Sequence, residues 1–158
     1  MDPGGLAPMS SHSSSKRTNS MASETNGISI ATPHVPVSWG ELIDKITILE
    51  IKSARLTSAA ALQNVRNELA QLTEKTLPLG DMSHQVAPLK KDLTGVNEAL
   101  WEIEDKIRDK ESAKAFDAEF IELARSVYVT NDKRAALKRQ INQLLASELV
   151  EEKGYAAY

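Results

Sequence analysis

The chain contains no cysteine, which excludes disulfides, thiolate metal centres and cysteine nucleophiles. Aromatic residues supply only 4% of its 158 positions, so aliphatic side chains must build any core. No apolar run approaches the roughly 20 residues that a bilayer-spanning helix needs. The opening segment MDPGGLAPMSSHSSSKRTNS lacks the apolar stretch of a secretory signal. Basic excess is missing too: 19 Lys and Arg against 22 Asp and Glu leave a net charge of −3. Such a balance gives no electrostatic reason to seek nucleic acid or an anionic membrane. His12, His34 and His84 stand at no metal-motif spacing, and no nucleophile motif such as G-x-S-x-G appears. The expectation is a cytoplasmic protein without membrane contact, metal or cofactor.

What is present reads as an all-α protein. Hydrophobic content of 41% and charged content of 26% are ordinary for one soluble domain. Residues 1–27 are rich in Ser, Thr, Gly and Asn and cannot bury enough surface to offset the entropy of ordering; they are predicted to be a disordered tail. Residues 28–153 are predicted to form a single helical domain, opening with an extended strap at 28–37, where Pro and β-branched residues cluster. Ser38 and Glu41 form a capping box, with Val37 and Leu42 at the staple positions, and start a strongly apolar first helix over 38–56. Ser58 caps a more polar second helix over 58–75. After a Pro- and Gly-bearing link, a third helix is predicted over 87–111 with Pro88 in its first turn, and Asp117 opens a fourth over 117–147. Gly95 lies inside the third helix, where it costs about 1 kcal/mol relative to Ala and would mark close packing.

The third helix carries a 4-3-4-3 apolar ladder: Leu89, Leu93, Val96, Leu100, Ile103 and Ile107. A second ladder runs through Leu123, Val127, Thr130, Arg134, Leu137, Ile141 and Leu144. Ladders of this spacing are coiled-coil seams, and a short link makes the two helices antiparallel neighbours. A bundle of about four helices dominated by this long hairpin follows. With the turn centred near Ala113, Ile107 faces Phe120, Leu100 faces Val127 and Leu93 faces Arg134.

The second seam is broken by Thr130 and Arg134, and there the candidate site lies. A guanidinium inside an oily contact needs a partner, and the first helix offers Asp44 or Glu50. Asn97 and Asn131 supply polar neighbours, and Lys138 stands one turn on. The leading reading is a structural ion pair that fixes register, or an arginine that snorkels out along its stem. The sharper one is a pocket in which Arg134 and Lys138 receive a small anionic ligand. Two other constellations carry less. The pairs Glu102/Asp105 and Glu119/Glu122 share the spacing by which all-α nucleotide pyrophosphohydrolases hold magnesium, but a solvated charged helix face explains them better. The basic cluster around Lys133 and Arg139 lacks any helix-turn-helix or aromatic platform, so nucleic acid is not the expected partner.

Three stretches, PVSWGELIDKITILEIK (36–52), VNEALWEIEDKIRDKE (96–111) and FIELARSVYVTNDKRAALKRQIN (120–142), together with LVEEK near the end, resemble a family of short bacterial proteins catalogued as a domain of unknown function. The resemblance implies a bacterial, single-domain helical protein and transfers no catalytic residue. The functional expectation is a non-enzymatic helical protein-interaction or binding module, whose partner is a second copy or another protein. The alternative is an enzyme or small-molecule binder that uses the polar break around Arg134.

Overall fold

A computed structural model of the chain describes residues 30–152 and 154. The predicted tail, the first two strap residues, Lys153 and Tyr155 therefore lie outside the described residues. The chain divides between His34 and Val35, so the helical unit starts seven residues later than the expected boundary at 28. Residues 30–38 form neither helix nor strand. Val35 and Val37 are well exposed, which leaves the staple around Ser38 without a buried outer member.

Among the described residues there are four α-helices, one short 3₁₀ turn and no strand. They are α1 (Trp39–Arg55), α2 (Ala59–Glu74), a 3₁₀ turn (Leu77–Leu79), α3 (Met82–Ser112) and α4 (Ala118–Leu144). Three helix starts follow the chemistry of their caps: Ser38 accepts the Glu41 N–H, Ser58 the Ala61 N–H and Asp117 the Phe120 N–H. Each satisfies a donor that has no intrahelical partner.

Two boundaries differ from expectation. α3 begins at Met82, not at residue 87, and Pro88 lies inside it. The missing Pro88 N–H leaves the His84 carbonyl without its helical donor, but His84 is exposed and water can serve it. Val86, only 3% exposed, anchors this extra turn. α4 stops at Leu144, three residues early, because Ala146 turns left-handed at φ 47° and the Ser147 N–H closes on the Asn142 carbonyl at 2.8 Å. α3 ends in the same way, with Lys114 at φ 52° and the Ala115 N–H donating to the Lys110 carbonyl at 2.9 Å. Both are Schellman closures with a side chain where glycine is favoured.

The hairpin turn is therefore centred on Ala115, not Ala113, and the register moves by nearly one turn. Arg134 stands level with Asn97, and Leu93 instead joins Ile43, Val86 and Ile141 in the core. Leu93 and Ile141 are fully buried; such side chains contribute about 1.5–3 kcal/mol each. α1 lies against both hairpin helices, and α2 covers α1 alone with any weight, with Lys45 reaching Glu68 at 3.2 Å. Gly95 is exposed with open space around it; the tight glycine is Gly40, where an added Cβ would sit 2.6 Å from the Lys138 carbonyl.

The core ends abruptly. α1 terminates at Arg55, whose guanidinium lies over Trp101 and pairs with Glu102. No residue from 98 to 134 is fully buried. The apolar seam nevertheless continues there through Leu100, Ile103, Ile107, Phe120, Leu123 and Val127, all half-buried. Among the described residues the distal hairpin is an arm whose two helices pack mainly on each other.

Candidate functional site

Asp44 and Thr47 are one turn apart on α1 and point the same way. Both are almost wholly buried, the Asp44 side chain at 4% exposure. Arg134 meets the Asp44 carboxylate with a fork: Nε donates to Oδ1 at 2.9 Å and Nη2 to Oδ2 at 2.5 Å. Asn97 donates both amide hydrogens, to Asp44 Oδ1 and to Thr47 Oγ1, each at 2.9 Å. The Thr47 hydroxyl in turn donates to the Asp44 carbonyl at 2.7 Å. Three helices are thus tied through one carboxylate. A planar fork suits this role better than an ammonium, since it gives two parallel charge-assisted bonds. The Asp44 carboxylate holds the Arg134 guanidinium above its ordinary pKa, against the opposing effect of burial.

A second ionic knot sits near the start of α1. Lys138 is 8% exposed and reaches Glu41 at 2.5 Å and Glu151 at 2.6 Å. Burial pushes its ammonium down; Glu151 and Glu41 together outweigh that and hold it above the usual lysine value. Glu41 thereby uses its carboxylate across the bundle. Beside it the first α1 donors are met by α4 and the chain after it: Asn142 Oδ1 accepts the Gly40 N–H at 2.6 Å and Ser147 Oγ the Trp39 N–H at 3.3 Å.

The expected constellation is therefore divided. Asp44, Asn97 and Arg134 come together; Lys138 belongs to the separate knot. Glu50 pairs with Lys90 at 2.6 Å, away from Arg134. Thr130 and Asn131 are half-buried on α4 and make no side-chain hydrogen bond among the described residues. Their distance from the layer follows from the shifted register. Thr47, Asn142 and Gly40 were not anticipated. Thr47 did carry a signal, being a hydroxyl three residues from Asp44 within the most apolar helix; Asn142 carried none. Of the acidic pairs, Glu102 holds Arg55 and Glu119 holds Lys110, and no group of three His, Asp or Glu gathers as a cation cage among the described residues.

One open groove of about 490 Å³ borders the layer. Asn97 and Arg134 form its inner end, Ile48, Ile51, Leu100 and Trp101 its apolar walls, and Glu104, Asp105 and Arg108 its rim. Both of its guanidiniums already have a carboxylate, Arg134 that of Asp44 and Arg108 that of Glu104 at 3.6 Å. Chemically the groove offers an apolar slot with a guanidinium at the bottom and no excess of either charge.

A family described as a family of unknown function, DUF6165, matches residues 33–158. No curated protein and no solved structure matches the chain.

Proposed function

We propose, for a chain that belongs to the DUF6165 family of unknown function, a role as a non-enzymatic helical interaction module. In this reading α1, α2 and the near half of the hairpin are a body that holds the distal arm out as the contact surface. The observation that carries it is the mismatch along the hairpin: the apolar seam runs on past Asn97, while full burial stops there. Half-buried leucine and isoleucine at seam positions gain free energy when a further helix covers them, about 25 cal/mol for each Å² removed from water. The polar layer fits the same reading. A carboxylate that binds three donors and an asparagine with both hydrogens engaged fix the alignment of three helices, the best-attested use of polar groups in a seam.

The test is photo-crosslinking in cells, with a light-activated residue placed in turn at Ile107, Ile121 and, as control, Arg66 on α2. Adducts at the two arm positions and none at Arg66 are expected. Adducts at Arg66 alone, or none anywhere, would sink the proposal.

A second reading is supported by the groove itself, where Arg134, Arg108 and Trp101 line one slot. A small anionic ligand would lie with its charge between the guanidiniums. Arg108, exposed and outside the layer, is the separable probe, because Arg134 also holds Asp44. A thermal-shift screen of nucleotides and sugar phosphates, repeated on Arg108→Ala, decides it: a ligand at 100 times its Kd stabilises by about 2.7 kcal/mol. No shift with any anion removes this reading.

A further inference from the structure

α1 gives the hairpin a third helix as far as Arg55 and ends there, and the groove opens where that cover runs out. Asn97, Trp101, Glu104 and Arg108 follow one another along its floor at i, i+4, i+7 and i+11, so they share one stripe of α3. Ile48 and Ile51 of α1 and Leu100 of α3 wall it. At 1.5 Å per residue the floor is about 16 Å long, roughly three turns of helix. A second stripe lies one residue further round α3: Glu98, Glu102, Asp105 and Asp109 repeat the same spacing, and Asp105 lines the groove. Arg55 holds Glu102. Glu98, Asp105 and Asp109 are exposed and make no side-chain hydrogen bond or ion pair among the described residues. The guanidiniums within reach are all matched, Arg134 by Asp44, Arg108 by Glu104 and Arg55 by Glu102. The charge without a partner along this edge is negative.

We infer that the groove seats an amphipathic helix of a partner protein, with apolar side chains entering between Ile48, Leu100 and Trp101 and an edge of Lys or Arg lying against Glu98, Asp105 and Asp109. This rests on the arm's being the contact surface, and it names what covers the arm. A helix suits the floor, because side chains spaced one turn apart along α3 interdigitate with anchors at i, i+4 and i+7 of a second helix. Such an occupant continues past Arg55 the third helix that α1 supplies to the near half of the hairpin. Charge selects the occupant. Flanking charges beside an apolar seam set partner choice, and an acidic segment laid here would bring carboxylate against carboxylate. The apolar contact supplies most of the affinity, while the exposed acidic edge supplies specificity and speeds encounter.

Fluorescence anisotropy of the full chain with two synthetic peptides tests it. Each peptide is about 18 residues, long enough to hold a helix, with leucine at i, i+4, i+7 and i+11; one carries lysine along the adjoining edge and its twin carries glutamate. The lysine peptide should bind saturably, and the glutamate twin at least about tenfold more weakly. Asp105→Lys should weaken the lysine peptide by about tenfold, since an attractive contact becomes repulsive, and should strengthen the twin. Glu74→Lys, the same change of charge on α2, should alter neither. Ile48→Ala should weaken both peptides with helical content unchanged. No binding of the lysine peptide, equal binding of the twins, or equal effects of Asp105→Lys and Glu74→Lys overturns the inference. Self-association that Asp105→Lys abolishes would make a second copy the occupant, and stabilisation by an anion that Arg108→Ala removes would give the groove to a small ligand; either also overturns it. If the peptides fail while crosslinks still form at Ile107 and Ile121, only the seat and its occupant fail. If both are lost, the interaction role fails with them.

Discussion

Replacing Arg134 by leucine would leave the Asp44 carboxylate, 4% exposed, with Asn97 as its one remaining side-chain donor. Breaking a buried ion pair from one side costs about 3–5 kcal/mol, because the surviving charge keeps its desolvation penalty without its partner. Total stabilities are about 5–15 kcal/mol, so this single change removes a large share. With a urea slope of about 2 kcal/mol/M, the unfolding midpoint should fall by about 2 M. The Arg134 side chain is 27% exposed, so the reverse deletion, Asp44→Leu, should cost less, since Arg134 can turn toward water. The double variant Asp44→Leu, Arg134→Leu should be more stable than Arg134→Leu alone, with a coupling of about 2 kcal/mol or more. Urea denaturation of the four proteins, read by helical circular dichroism, measures this. A midpoint shift under about 0.5 M for Arg134→Leu, or strictly additive single effects, would refute the claim that the pair locks the helices.

Gly40→Ala should destabilise by about 1–3 kcal/mol, because its Cβ meets the Lys138 carbonyl at 2.6 Å; thermal melting reads it. Lys114→Gly should stabilise by up to about 1 kcal/mol, since Lys114 holds a left-handed φ of 52° that glycine takes without penalty; an unchanged melting temperature would contradict this. Lys138 has a folded pKa above its unfolded value, so its contribution is complete below the unfolded pKa and is lost as pH rises through the folded one. Melting temperatures from about pH 9 to about pH 12 should therefore fall less steeply for Lys138→Met than for the parent. Asp117 has the opposite sign: the Lys110 ammonium and the Phe120 N–H lower its pKa, so its support is lost as pH falls through that folded value, and Asp117→Asn should reduce the acid sensitivity of α4.

The four helices were legible because period and caps agreed: Ser38, Ser58 and Asp117 stand where apolar ladders begin, and each caps its helix. That Arg134 needs a carboxylate from α1 was legible from the cost of a lone charge in a seam, but the choice between Asp44 and Glu50 was not; the structure gives it Asp44 and leaves Glu50 to Lys90. The missed start of α3 came from reading Pro88 as an N-terminal residue, when one exposed carbonyl makes an interior proline tolerable. The register slipped because Lys114 closes α3 in left-handed geometry without glycine, as Ala146 does after α4, so nothing in composition marked where the helices end. Asn142 and Gly40 escaped because their roles exist only between helices distant in sequence.

Native-state hydrogen exchange, read amide by amide, bears most directly on the division between a locked base and an arm awaiting cover. Amides of α1 and of residues 86–97 should be strongly protected. Those of residues 103–127 should be weakly protected. Equal protection along the whole hairpin would contradict the picture.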